Sequence, residues 1–317
     1  MRLSLKIKLT ILLVISLVLI AVYLFVGVPG NWEYILPRRA SRILAIVITG
    51  AVIAIATIVF QTITNNRILT PSIIGLDSLY VLVQTFIIFV FGSTSVAAVN
   101  HNLNFGLSVG AMIVFAFLLY QFLFKKQKNI YFLLLVGIVF GTFFSSLTSF
   151  MQVLIDPNEF MMVQNRMFAS FNNVNTNILW LSIGILILTI IYFWKYIKFL
   201  DVMSLGKEQA INLGIDYDQV VKRLMIVIAI WISVATALVG PILFLGLLVA
   251  NVTYEFMRTY KHSYLLIASV FISIIALVGG QLIVDRIFSF ETTLSVIINF
   301  IGGIYFLYLI LKESKKW

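Results

Sequence analysis

From Leu9 to Val28 the chain runs LTILLVISLVLIAVYLFVGV without one charged residue, and stretches of this kind recur to its end, separated by short polar segments. A helix crosses the roughly 30 Å hydrocarbon core of a bilayer with about 20 apolar residues. Inside lipid every backbone N–H and C=O must be satisfied within the chain, so continuous Leu/Ile/Val runs specify helices, and β-barrel strands would have to alternate instead. With 62% hydrophobic and 11% charged residues and a mean hydropathy of +1.09, against about 25% charged in soluble domains, most of the surface must face lipid.

Hydropathy and helix breakers predict ten spans: Lys8–Val28, Arg42–Thr64, Ile73–Gly92, Phe105–Phe124, Ile130–Ile155, Asn177–Ile197, Arg223–Val239, Ile242–Arg258, Tyr264–Val284 and Thr293–Lys312. They are read as one transmembrane domain over 1–317. The amino-terminal run exceeds a signal-peptide core and no A-x-A site follows, so it is read as a retained first span. With the amino terminus inside, the segments between spans place seventeen of the 22 Lys and Arg residues on the inner side; Arg38, Arg39, Arg42, Arg166 and Arg286 lie on the outer. That is the positive-inside bias. It puts both termini in the cytoplasm, makes the protein a multi-pass component of the cell membrane, and accounts for the net charge of +10 without a nucleic-acid partner.

The chain has no cysteine and only two histidines, which rules out disulfides, thiolate zinc sites and iron–sulfur clusters. No metal site and no catalytic residue is predicted. No G-x-x-x-x-G-K-[ST] motif is present, so any ATP must be hydrolysed by another subunit.

One polar island, DVMSLGKEQAINLGIDYDQVVK from 201 to 222, lies on the inner side between the sixth and seventh spans. Ser204 is placed to cap a helix with Glu208 in its first turn, Leu205, Ala210 and Leu213 form a narrow apolar stripe, and Gly214 is placed to close it. Such a helix suits a groove on a partner; a solvated loop helix is the plainer alternative.

Three motifs carry a family resemblance. MSLGKEQAINLG places Gly206, Glu208, Ala210, Leu213 and Gly214 on the pattern L-x-L-G-E-x-x-A-x-x-L-G, with Lys207 where an acidic residue is usual. Residues 35–78 place Pro37, Arg38, Gly50, Gln61, Asn66, Pro71 and Gly75 on the R-L-P-R opening, the Q-x-x-x-x-N turn and the P-x-x-x-G that follows, with Ile35 for the first Arg and Arg67 for the Pro after the turn. GPILFLGLLVAN keeps Gly240, Pro241, Phe244, Gly246 and Leu247 of G-P-I-G-F-V-G-L-x-x-P-H, with Ala250 and Asn251 for Pro-His. Together they resemble the iron-siderophore (FecCD-type) and cobalamin permeases of ABC importers, most closely those for catecholate or petrobactin-type siderophores.

The resemblance implies the ten-helix fold of a type II ABC importer permease, two ATP-binding-cassette ATPase subunits gripping Ser204–Gly214, a second and non-identical permease, and an extracellular siderophore-binding protein received by Arg38 and Arg286, with Arg39 standing in for Ile35. It implies a cargo of iron carried inside its chelator and no cofactor bound by this chain, ATP being used by the partner subunit. Asn66, Pro71, Asp77, Gly240 and Pro241 become candidates for the pathway or its turns. Asp77 reads either as a polar lining of the path or as a cap for the helix restarting at Ser78. The outer segment Asp156–Asn175, rich in Met, Phe and Asn, reads either as the mouth of the path or as a short packed helix. Small residues such as Gly137, Gly141, Ser145, Ser146, Gly279 and Gly280 read as close-packing positions. Cobalamin or haem stands as an alternative cargo. An ion-driven transporter is the rival mechanism, expected to show paired intramembrane carboxylates or broken helices.

Overall fold

The computed structural model describes residues 4–27, 30–124, 130–172, 174–287 and 293–314. Among them the elements are helical: α1 (Leu5–Phe25), α2 (Trp32–Thr64), a 3-10 turn (Pro71–Ile74), α3 (Leu76–Phe91), α4 (Val96–Val99), α5 (His101–Phe124), α6 (Ile130–Leu154), α7 (Pro157–Met167), α8 (Thr176–Trp194), α9 (Ile197–Met203), α10 (Lys207–Asn212), α11 (Tyr217–Val239), α12 (Leu245–Met257), α13 (His262–Arg286) and α14 (Leu294–Ser314). Eight helices are long and apolar enough to cross a membrane, and α3 and α12 are shorter apolar helices. Each of the ten predicted spans coincides with one of these ten.

The short pair departs from the prediction in a way that matters. At 1.5 Å per residue, α3 and α12 are about 24 and 20 Å long, less than the hydrocarbon core, and each begins inside the bundle after irregular backbone: residues 65–75 before α3 and 240–244 before α12. The apolar runs predict span-length helices because hydropathy does not register where a helix restarts. Irregular backbone at such depth persists only where protein or a cavity satisfies it.

Helices α2 and α11 are the buried centre; α2 packs against α13, α11 and α12, and α11 also against α5 and α8. Close approach is set by small residues, because between helices in lipid packing replaces the hydrophobic drive. A Cβ added at Gly50 of α2 would sit 2.7 Å from Leu277 Cδ1 and 3.0 Å from Ser273 Oγ of α13. Polar side chains fasten the pairs: Ser16 donates to Phe271 O (3.2 Å), Trp231 Nε1 to Thr189 Oγ1 (2.8 Å), Tyr217 Oη to Ile63 O (3.0 Å), and Gln84 Nε2 to Asn104 Oδ1 and Ser108 Oγ (2.9 and 2.7 Å).

Gly75 begins α3 at φ +87°, and its α-carbon lies so close to α6 that an added Cβ would stand 3.0 Å from Gly141 Cα and 3.1 Å from Gly137 O. Gly137 and Gly141 are thus close-packing positions, as expected, and Gly280 fits against Leu294; nothing lies within 4 Å of a Cβ at Gly279. Gly240, at φ +99°, is held the same way: its Cβ would meet Ala169 Cα at 2.8 Å, and Ser170 N–H donates to Val239 O at 2.8 Å.

Candidate functional site

Three places in the fold hold the residues singled out by sequence. The first is the segment between α8 and α11. Here α10 does not start as expected. Ser204 ends α9 instead, its hydroxyl donating to Asp201 O at 2.7 Å, and Gly206 takes the N-cap position at φ +106°. The reason is spacing: Ser204 lies one residue too far from Glu208 for a reciprocal capping box, and the sharp reversal between α9 and α10 needs a backbone that glycine supplies. Glu208 does fall in the first turn. The other end is as expected. Gly214 sits at φ +84°, Gly214 N–H donates to Ile211 O (2.9 Å) and Ile215 N–H to Ala210 O (3.0 Å), which is a Schellman closure.

Ala210 is buried beneath α10, whereas Leu205, Ile211 and Leu213 are 59%, 49% and 63% exposed. Of these three exposed side chains only Ile211 lies on α10 itself, and Leu205 and Leu213 flank it. Lys207 reaches Asp218 Oδ1 at 2.9 Å, so the basic residue in a usually acidic position is neutralised locally.

The second place is the opposite end. Arg39 hydrogen-bonds four carbonyls at the end of α1, those of Tyr23, Leu24, Val26 and Gly27 (2.9, 3.2, 3.0 and 3.1 Å), and Arg286 donates to Val26 O at 2.6 Å. Arg42 bonds Tyr23 Oη (2.9 Å) and pairs with Asp285 at 3.6 Å. Arg38, one residue from Arg39, is exposed with its guanidinium 5.0 Å from the Tyr34 ring. A cavity of about 490 Å³ opens beside Pro37, Arg38, Ser41, Arg42, Phe171 and Asn172.

At this end the segment after α6 forms α7, a short helix capped by Asp156 and packed through Val163 against Ile88 and Ile155. Its Arg166 donates to Gln84 Oε1 and Ala98 O (2.5 and 2.8 Å), and burial pulls the guanidinium pKa down. The segment thus contains the short packed helix, and its later residues Met167, Phe168, Phe171 and Asn172 line cavities.

The third place is where the two irregular segments meet. A cavity of about 280 Å³ is walled by Asp77, Ser78, Thr148 and Asn299, with Met167, Phe168 and Pro241 among its apolar lining. Asp77 does not cap α3. Gly75 is the N-cap, and Asp77 stands in the first turn with Oδ1 accepting from the Thr236 hydroxyl at 2.9 Å. A carboxylate in the first turn also faces the positive end of the helix dipole. Pro71 is the first residue of the 3-10 turn and is buried. Asn66 closes an Asx turn, its Oδ1 accepting from Ile68 N–H at 2.9 Å, while Asn65 takes the left-handed conformation that ends α2.

Sequence reasoning missed two sets of residues. Asn251 Nδ2 donates to Arg67 O at 3.2 Å, so two positions that depart from the family pattern touch. His262 joins Asp201 to Thr62 at the island's end of the bundle. The signal for the second was a polar aromatic residue opening an apolar helix, with no partner in sequence reach. Among the described residues no group of three or more His, Cys, Asp or Glu could hold a metal ion.

Residues 9–312 match the model of the FecCD transport family. The chain is 63% identical over 313 residues to the petrobactin import system permease protein YclO of Bacillus subtilis, covering 98% of this chain and 99% of that protein. It is 34% identical over 280 residues to the petrobactin import system permease protein FatC of Bacillus anthracis (88% and 79% covered), and 27% identical over 316 residues to FatD of the same organism (96% and 91%). In fold it is similar to a chain described as a metal-chelate type ABC transporter in an inward-facing conformation, at a TM-score of 0.85 and 21% identity, with 98% and 100% of the two chains covered. A multi-pass membrane protein with these features throughout its length belongs to the FecCD transport family.

Proposed function

We propose that this chain is the permease subunit of an ATP-binding-cassette importer that carries an iron(III)-siderophore, of the petrobactin type named for its relatives YclO and FatC, across the cell membrane. The observation that carries the reading is α10 with its flanking residues: a six-residue helix anchored by buried Ala210, with Ile211 on it and Leu205 and Leu213 beside it exposed to a partner, in a chain with no phosphate-binding loop of its own. ATPase subunits that close on nucleotide can favour one state of the permease only if α10 fits the two states differently.

Ten crossings, with α3 and α12 as shortened members, return both termini to the cytoplasmic side. The positive-inside bias puts α10 there too, where ATP is available. Two ATPase subunits and a second permease complete the machine, and the relatives FatC and FatD, two different permeases named for petrobactin import in one organism, support a non-identical pair. Arg38 receives an acidic surface of the siderophore-binding protein on the outer face. Charges at such a rim steer docking and set orientation more than they add affinity. The polar cavity at Asp77 lies on the path, and iron travels inside its chelator, with no ligand supplied by this chain.

The test is import of radiolabelled iron(III)-petrobactin by the complete complex in proteoliposomes, with ATP inside and the binding protein outside. Leu213→Arg adds a charge where the side chain is already exposed, so insertion and assembly should persist while import stops. Normal import by that variant, or accumulation by this chain alone under an ion gradient, would overturn the reading.

A further inference from the structure

His262 is 3% exposed and opens α13 beside the end of α9. Its main-chain N–H donates to Asp201 Oδ1 at 2.7 Å, its ring Nδ1 lies 2.7 Å from the same oxygen, and its ring Nε2 lies 2.8 Å from Thr62 Oγ1 on α2. Each link continues outward. On one side Asp201 O accepts from Ser204, the residue that leads into α10. On the other, Thr62 lies in the last turn of α2, its hydroxyl also donating to Ile58 O at 2.8 Å, and beyond that end the Arg67 guanidinium lies 4.6 Å from the Tyr254 ring of α12. Arg67 belongs to the turn whose carbonyl is held by Gln61 (2.7 Å) and Asn251 (3.2 Å) and which leads to the cavity at Asp77.

An imidazole holds its two nitrogens at a fixed separation, so a ring engaged at both ties the Asp201 carboxylate and the Thr62 hydroxyl to one rigid body. The ring is fixed further by the main-chain bond to the same carboxylate. Coupling between distant sites travels through contiguous elements of this kind when both sites bias them.

We propose that His262 is a positioning residue through which a displacement of the coupling segment reaches α2 and α12, Asp201 carrying it into the ring and Thr62 passing it to the turn at 65–71. This rests on α10 being the coupling helix. The cargo-side consequence is that the irregular backbone before α3 shifts together with α10 and not independently of it.

The readout that separates transmission from plain structural support is iron imported per ATP hydrolysed, measured on the complete complex in proteoliposomes with iron(III)-petrobactin and its binding protein. Thr62→Val keeps the shape and removes the hydroxyl. It should leave assembly and ATP hydrolysis as in the wild type and lower the ratio about fivefold or more, and Thr62→Ser should restore it. His262→Asn, which keeps a partner for Asp201 and cannot reach Thr62, should match Thr62→Val. An unchanged ratio in Thr62→Val and His262→Asn, or loss of assembly and both activities in parallel with the ratio preserved, would overturn the proposal. Leu213→Arg in the same assay keeps the two layers apart: if it stops import while Thr62→Val keeps the wild-type ratio, only the relay is wrong; if it imports normally, the coupling role of α10 itself is wrong.

Discussion

Asn251 and Arg67, 184 positions apart, meet where α12 crosses the turn after α2: the Asn251 amide donates to the Arg67 carbonyl at 3.2 Å. Gln61 Nε2 donates to the same carbonyl at 2.7 Å, and Asn251 also donates to Leu247 O at 2.9 Å. Both positions depart from the resemblance pattern, which has Pro after the turn Asn and Pro-His at the α12 positions. The contact gives the pair a common reason. An amide on α12 helps to hold a turn that carries Arg67 where the pattern has proline.

Two donors on one half-buried carbonyl predict non-additive energetics. Asn251→Ala or Gln61→Ala alone leaves the Arg67 carbonyl with the other donor, so each should cost about 1 kcal/mol, the net value of an ordinary hydrogen bond. The double variant leaves that carbonyl without either and should cost at least about 1 kcal/mol more than the sum. Thermal unfolding of the four proteins in detergent measures it. Additivity within about 0.5 kcal/mol would show that water replaces the lost donors.

The two neighbouring arginines should separate cleanly. Arg39 holds four carbonyls at the end of α1, and charge-assisted bonds to such orphan groups contribute about 1.5–3 kcal/mol. Arg39→Ala should therefore lower stability by that order and affect import through it. Arg38 is exposed and lies over Tyr34, so Arg38→Glu should shift stability by no more than about 0.5 kcal/mol while raising, severalfold, the concentration of loaded binding protein that gives half-maximal import. Equal stability losses in the two variants would contradict this division.

How far the sequence could be read follows from which features are local. The apolar runs mark helices because the apolarity of each residue is recorded locally in the sequence. Gly214 as a helix end is legible since Ala210, Ile211 and Ile215 supply the closure within five residues. Arg38 and Arg39 look alike in sequence, yet consecutive helix positions point about 100° apart, and only the packing of α1 decides which one is engaged. The joining of Asp201, His262 and Thr62, and the contact of Asn251 with Arg67, depend on three-dimensional closure of segments far apart in the chain, for which no local pattern exists. The short length of α3 and α12 was hidden for a related reason: Pro71 and Gly240 announce a break, but where the helix restarts is set by what each segment packs against.

Asp77 offers the sharpest separation between an ATP-driven and an ion-driven mechanism. Its Oδ1 accepts from Thr236 at 2.9 Å and it borders the interior cavity. An Asn side chain has nearly the same shape and keeps an oxygen facing Thr236, but it cannot take up and release a proton. If Asp77 orients the start of α3 and presents a polar wall, Asp77→Asn should import iron(III)-petrobactin at a rate within about fivefold of wild type, since the amide still accepts from Thr236 and the change costs no more than about 1 kcal/mol, the net value of one hydrogen bond. Asp77→Leu, which strands the Thr236 hydroxyl, should lose about 1–3 kcal/mol of stability and import correspondingly less. A proton relay requires the titrating group itself, so abolished import in a stably folded Asp77→Asn complex with intact ATP hydrolysis would assign the carboxylate a role in proton movement and set aside its reading as a fixed polar wall.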